Sequence, residues 1–140
     1  MTIEEQLGRD EGRKSSAYQD QYGYWTIGIG TCVDATKGCG ITDEEMDLLL
    51  ANRIAKNKSQ IQEQFPWTTS LDEARFGVLL NMSYQLGMHG LGEFRQFLAA
   101  LQQGDYEAAS AHMLDSKWAK QDSPDRAQRL SEQIKTGVWV

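Results

Sequence analysis

Positions 9 to 30 read "RDEGRKSSAYQDQYGYWTIGIG". The second half of this stretch decides what the region becomes. From Tyr22 to Gly30 the residues alternate: Trp25, Ile27 and Ile29 fall on one side, and Tyr24, Thr26, Gly28 and Gly30 on the other. That is the two-residue period of a strand. No other part of the chain has it, so one small hairpin is predicted, with the Trp25 side facing a core. The opposite side carries a hydroxyl and two residues without side chains, a shallow trough where a bulky partner can approach the backbone. On the strand pattern alone, the two glycines read better as bend or bulge residues of a small hairpin.

On either side of the hairpin the signals are helical. Thr2-x-x-Glu5, Thr42-x-x-Glu45 and Ser70-x-x-Glu73 are capping-box patterns, in which a hydroxyl and a carboxylate satisfy the free N–H groups of a first turn. Helices are predicted at 3–11, 43–63, 71–86, 91–103, 105–115 and 124–135. In the longest of them, starting at 43, the apolar residues thin to scattered single positions after the first turns. A stripe that thin suits a helix bridging two packed bodies, so two lobes are predicted. Asp34, Thr36, Gly38 and Gly40 mark a loop, and Pro66 and Pro124 mark a connector and a helix start.

Composition removes several classes of function. A chain of 140 residues fits one domain with room for an enzyme-sized cleft. No apolar run is long enough to cross a bilayer, and the opening "MTIEEQLGRDEG" lacks the basic and apolar segments of an export signal. A soluble protein without membrane insertion is expected. The net charge is -6, and residues 1–50 carry all of it, with four Lys/Arg against ten Asp/Glu. Clustered cations are missing, so nucleic acid is not an expected partner. His89 and His112 stand alone and no CxxC occurs, so no metal site is expected. Cys32 and Cys39 bracket "CVDATKGC" and could either close a small disulfide ring in an oxidising compartment or remain two thiols.

Two carboxylates have contrasting surroundings. Glu11 ends the first helix just before Gly12, facing the negative end of the helix dipole, which favours the protonated form a general acid needs. Asp20 lies nine residues on, in the polar turn "QDQYG", where solvent and turn N–H groups favour the charged form. Such a pair is the usual equipment for cleaving a glycosidic bond. Spacing alone leaves two solvated surface carboxylates as the plainer explanation.

The order of motifs goes further. "DEGRKSSAYQDQYGYWTIGIG" resembles the catalytic region of the phage-type lysozymes, the muramidases of glycoside hydrolase family 24. The resemblance continues through "SLDEARFGVLLNMSYQLG", "LGEFRQFLAALQQGDYEAASAHMLDSKW" and "SPDRAQRLSEQIKTGVW", and it spans nearly the whole chain apart from about 32–65. It implies an α+β, mostly helical fold with a small N-terminal β-hairpin lobe and a larger C-terminal helical lobe joined by a long helix. In a single domain over 1–140, the small lobe would be about 13–45, the interlobe helix about 43–63, and the helical lobe about 64–140 together with the first helix, 3–11.

Residue by residue, the resemblance implies that Glu11 protonates the glycosidic oxygen. Asp20 would assist a water, which Thr26 helps to hold. The family inverts the anomeric carbon, a geometry in which the two carboxyls stand roughly 6.5–9.5 Å apart. Arg126 matches the arginine that pairs with the catalytic Glu, and Arg129 the one that pairs with the preceding Asp, here Asp10. Asn81 matches a buried supporting residue, and Tyr84 and Gln85 match residues facing the cleft. Gly30, Phe97 and His112 fall at substrate-contact positions, and Trp118 matches a packing tryptophan of the helical lobe. Thr31 stands where better-known members have His, the segment "TCVDATKGCGIT" is shorter, and the chain is acidic where those enzymes are basic. Long-range attraction to an anionic wall is therefore expected to be weak.

The implied activity is hydrolysis of the β-1,4 bond between N-acetylmuramic acid and N-acetylglucosamine in peptidoglycan glycan strands, by a monomer without cofactor. Like a phage endolysin, the protein would be made in the host bacterial cytoplasm. It would depend on a holin to reach peptidoglycan in the periplasm, where Cys32 and Cys39 could pair after release. The rival readings are a lytic transglycosylase and a non-catalytic peptidoglycan-binding module.

Overall fold

The computed structural model describes every residue, Met1–Val140, and the fold is α+β, mostly helical with one small antiparallel sheet. The chain divides into two compact units, Met1–Leu49 and Leu50–Val140.

The first unit opens with α1 (Ile3–Glu11), capped as the sequence predicts: the Thr2 hydroxyl accepts from the Glu5 amide at 3.2 Å, and the Glu5 carboxylate accepts from the Thr2 amide at 2.8 Å. Gly12 stops the helix with φ 76°. Three strands follow, β1 (Lys14–Gln19), β2 (Trp25–Gly28) and β3 (Thr31–Cys32), paired in chain order. The polar "KSSAYQ" lacks apolar alternation, so β1 gave no strand signal. It forms because β2 offers a ladder: Tyr18 pairs with Thr26 and Gln19 with Trp25, with an irregularity in register before Lys14 meets Gly28. Gly28 and Gly30, at φ 71° and 68°, turn β2 into β3, so the bend reading of these glycines holds for their backbone.

The faces of β2 differ from expectation. Trp25 and Ile29 are 48% and 37% exposed, whereas Thr26 is 5% exposed. Alternation records which residues share a face, and aromatic and β-branched residues favour strands whether or not that face is covered. No apolar side chain of Met1–Leu49 is buried; the unit's buried residues are Thr26 and Asp34.

Polar bonds and one covalent link take the place of a core. The Asp34 carboxylate accepts from the Trp25 amide at 3.0 Å and from the Thr36 amide at 2.9 Å, and also from the Thr36 hydroxyl. Its main-chain carbonyl accepts from the amides of Lys37 and Cys39. Around this knot, with its 3₁₀ turn at Ala35–Lys37, Cys32 and Cys39 form a disulfide with Cα atoms 5.6 Å apart.

The longest helix, α2 (Asp43–Gln64), has the expected capping box at Thr42 and Glu45 and buries only Ile61 along its length. The division between the units falls inside it. In the second unit come α3 (Glu73–Gly92), α4 (Arg95–Gln102), α5 (Tyr106–Leu114), a π-helical turn at Trp118–Asp122, and α6 (Pro124–Thr136). The third cap falls on Asp72, whose carboxylate accepts from the Arg75 amide at 3.0 Å; Ser70 is occupied in the preceding 3₁₀ turn, Pro66–Ser70. Gly87 breaks α3 near the predicted end at 86, with φ 73° and ψ 171°.

Here the apolar stripes do meet. Val78, Leu79, Met82, Leu91, Phe97, Leu101, Met113 and Ile134 form one buried cluster, and α4 packs on α5, α5 on α6 and α6 on α3. Arg75 ties α3 to the end of α6, donating to the carbonyls of Ile134 and Lys135 at 2.6 and 2.9 Å. Its guanidinium lies 3.5 Å from the centroid of the Tyr106 ring.

A loop as short as the Cys32–Cys39 ring gives a chain-entropy stabilisation of about 2.5 kcal/mol. Replacing both cysteines by Ser is therefore expected to speed amide hydrogen exchange from Trp25 to Cys32 by about 50-fold or more, leaving α3–α6 unchanged. Equal protection in both forms would show that the link adds nothing to the unit.

Candidate functional site

Glu11, the last residue of α1, reaches the sheet through a glycine. A side-chain carbon at Gly30 would stand 2.7 Å from Glu11 Oε2 and 2.9 Å from its Cδ, closer than such atoms tolerate. Gly30 thus has two reasons to be glycine: its positive φ and the carboxylate lying on its Cα.

Asp20 sits in the turn between β1 and β2. Its Oδ1 accepts from the amides of Tyr22 and Tyr24, each at 2.9 Å, and its main-chain N–H and C=O close the same turn with Tyr24 and Gly23. The carboxylate is fixed in direction by the backbone, and Oδ2 takes no bond from the protein. The Thr26 hydroxyl donates to the Tyr24 carbonyl at 3.1 Å. Its proton is committed to the backbone, leaving its lone pairs free to accept. Asp20, Tyr24 and Thr26 therefore form one bonded series: amide to carboxylate at one end, hydroxyl to carbonyl at the other.

Asp10 pairs with Arg9 at 2.8 Å, and Cys32 is the ladder partner of Thr26. Asp34 is the residue sequence reading passed over, having taken it only as a loop marker. Its signal was the Asp-x-Thr spacing of "DAT", in which the side chain bonds a backbone N–H two residues on. Bonds from the Thr36 hydroxyl and then from the Trp25 amide hold the Asp34 carboxyl below its ordinary range, against the opposing effect of burial.

In the second unit the candidates separate into two cavities and a link. Asn81, Tyr84 and Arg126 line a cavity of about 380 Å³ with Leu50, Ile54 and Trp139. The Asn81 side-chain oxygen is unpartnered. Phe97 and His112 line another, of about 430 Å³, with Arg95, Asp115, Lys117 and Trp118. Phe97 is itself buried in the core, its ring edge-on to Phe94. A hydrogen bond from Lys120 at 2.6 Å, followed by the charges of Lys120 and His112, lowers the Asp115 carboxyl below its usual range. Gln85 makes the link, accepting from the Trp118 indole at 3.0 Å and donating to the Ser123 hydroxyl at 2.8 Å, so both ends of its amide are engaged. Arg129 is exposed on α6, one turn beyond Arg126.

No group of His, Cys, Asp and Glu side chains is arranged to hold a metal ion. The first unit offers one carboxylate against a glycine, a second aimed by two amides, and a buried hydroxyl whose proton is held by a main-chain carbonyl. Together these can donate a proton, accept one, and orient a small polar molecule.

Comparison with known proteins supplies the context. The phage lysozyme family profile matches residues 8–133. The chain is 31% identical, over 98% of its length, to part of the pre-baseplate central spike protein of Enterobacteria phage T4, spanning 28% of that protein. It is 26% identical to the probable T4-type lysozyme 1 of Dictyostelium discoideum, over 98% of this chain and 95% of that one. It is 30% identical to an endolysin of Acyrthosiphon pisum secondary endosymbiont phage 1, over 81% and 75%.

Two substitutions test the geometry. Gly30→Ala is expected to destabilise the first unit by about 1–3 kcal/mol, because it combines a positive φ with a blocked approach; an unchanged melting profile would remove Gly30 from the account. Because its folded carboxyl titrates below its unfolded value, Asp34 contributes stability above the ordinary carboxylate range. That contribution is lost as pH falls through the lowered folded value. Asp34→Asn should flatten the acid limb of the first unit's stability profile, as followed by hydrogen exchange between pH 2 and 6. An identical limb in the variant would show that Asp34 is not the group responsible.

Proposed function

The chain belongs to the phage lysozyme family, and from that premise we propose that it hydrolyses the β-1,4 bond between N-acetylmuramic acid and N-acetylglucosamine in peptidoglycan. The family is one of glycosidases. The observation that carries the finer reading is the bonded series from Asp20 through Tyr24 to Thr26, with Glu11 seated on Gly30 in the same unit.

In this reading Glu11 gives its proton to the glycosidic oxygen as the bond to the sugar carbon breaks. A water attacks that carbon from the opposite side. One of its protons goes to the free Oδ2 of Asp20, and the other is held by a lone pair of the Thr26 hydroxyl, whose own hydrogen stays on Tyr24. Attack from the far side inverts the anomeric carbon. Gly30 leaves space at Glu11. In the second unit Tyr84 and His112 are exposed and would contact glycan, while Phe97 is buried in the core and Gln85 is engaged with Trp118 and Ser123. Asp10, Asn81, Arg126 and Arg129 are taken as support.

No helix is long and apolar enough to cross a membrane, which supports a protein that acts on the wall without inserting itself. We take it to act as a monomer, made in the host cytoplasm and released by a holin to the periplasm. The similarity to a spike protein favours a second setting, a lysozyme unit carried by a phage particle. Co-purification of the chain with virions would favour the particle, and lysis that needs a co-expressed holin would favour the free enzyme.

Digestion of purified peptidoglycan decides the chemistry. Wild type should release reducing ends as the inverted anomer, and Glu11→Gln and Asp20→Asn should each lose roughly 10²- to 10⁴-fold in turnover with the fold intact. Anhydro ends formed without Asp20 would make the protein a transglycosylase. Binding without any new ends would make it a wall-binding module.

A further inference from the structure

The Asp34 carboxylate is a convergence point. It is 8% exposed and receives three donors: the Trp25 amide on Oδ2, and the Thr36 amide and hydroxyl on Oδ1. An ionised carboxylate is acceptor-only and suits such a set, whereas the isosteric amide of Asn has one acceptor oxygen and would turn N–H groups toward N–H groups. What this arrangement holds is the main chain next to Thr26. The Trp25 amide is bound to Asp34, and the Trp25 carbonyl accepts from the Val33 amide at 2.9 Å. Both main-chain polar groups of Trp25 are thus tied to consecutive residues, and Thr26, the next residue, pairs in the ladder with Cys32, immediately before Val33.

We propose that Asp34 is a positioning residue for hydrolysis: by clamping Trp25 it fixes the main chain from Tyr24 to Thr26, and so the direction of the Thr26 hydroxyl. The proposal rests on the reading of Glu11, Asp20 and Thr26 as the hydrolytic groups. The Thr26 hydroxyl stays aimed only while its 3.1 Å bond to the Tyr24 carbonyl survives, and that bond spans the residue Asp34 holds. A swing of the peptide at Trp25 moves donor and acceptor in opposite senses. The hydroxyl then rotates freely, and its lone pairs no longer favour the one orientation that receives a water proton. Glycan contacts made elsewhere are untouched, so the loss falls on turnover and not on binding.

A mere loop staple predicts something else. Thr36→Val removes one Asp34 partner and weakens the loop but leaves the Trp25 clamp in place, so it separates the two roles. The experiment measures kcat and KM on soluble glycan strands, with melting profiles, for wild type, Asp34→Asn, Thr36→Val, Thr26→Ala and the double variant Asp34→Asn/Thr26→Ala. Positioning predicts that Asp34→Asn lowers kcat about 10- to 100-fold with KM within about threefold, and that Thr36→Val keeps kcat within about threefold although it melts earlier. In the Thr26→Ala background, Asp34→Asn should cost no more than about a further twofold, because the group it serves is gone. Equal losses in Asp34→Asn and Thr36→Val, or an undiminished loss in the Thr26→Ala background, would overturn the proposal. If Asp34→Asn does not fold, Asp34→Glu, which keeps an acceptor-only carboxylate but displaces it, is judged by the same criteria.

A spectroscopic readout separates this idea from the hydrolytic reading. Three-bond couplings at Thr26 should report a single χ1 rotamer in wild type and averaging in Asp34→Asn; a single rotamer in both would sink the positioning role even in an active enzyme. A wild type that releases no reducing ends, with the rotamer change still seen, would sink the hydrolytic reading and leave the clamp standing.

Discussion

Forty-nine residues are too few to bury an aliphatic core of their own, and the first unit solves this with directed bonds. Asp34 gathers five of them, three on its carboxylate and two on its carbonyl, inside the ring closed by Cys32 and Cys39. The same economy governs the site. The Asp20 carboxylate and the Thr26 hydroxyl are aimed by main-chain amides and carbonyls, so their geometry is as good as the sheet's register. Burying the Asp34 charge is tolerable because every donor pointing at it is satisfied; removal of one partner would leave buried polar groups stranded.

The second unit works by the opposite means. Its helices meet through apolar side chains, and polar contacts serve to fix where the helices end. Arg75 closes the last turn of α6, where Gly137, at φ 70°, leaves room for the guanidinium. Gln133 reaches the carbonyl of Ala74 at 2.7 Å from within the same contact. At the other end of α6, Gln85 holds Ser123 and Trp118. The helix carrying Arg126 and Arg129 is therefore pinned at both ends, and this fixes its position along its axis more tightly than a greasy contact alone.

Much of this was legible from the residues. The capping boxes at Thr2 and Thr42 stated where α1 and α2 begin, because the end chemistry of a helix is a local property. The contrast between Glu11 at a helix end and Asp20 in a turn was also readable, since helix stops and Asx turns are local too. What failed to show was set by partners distant in sequence. "KSSAYQ" becomes a strand only because β2 lies beside it. Trp25 and Ile29 stay exposed because nothing in the alternation says which face is covered. The cap expected at Ser70 moved to Asp72 because the 3₁₀ turn before it claimed the serine. The two bonds of Gln85 run to Trp118 and Ser123, more than thirty positions on.

One further property comes from the missing aliphatic core of the first unit. The heat-capacity change on unfolding grows with the apolar surface newly wetted, and Met1–Leu49 holds no buried apolar side chain to release. Its stability therefore varies gently with temperature, while that of the helical unit follows a steeper dome. Cooling weakens the hydrophobic contribution to the helical unit and spares hydrogen bonds and a covalent tie. The first unit is thus built to hold its shape in the cold, and the enthalpy of opening it changes little between a refrigerated sample and a warm one.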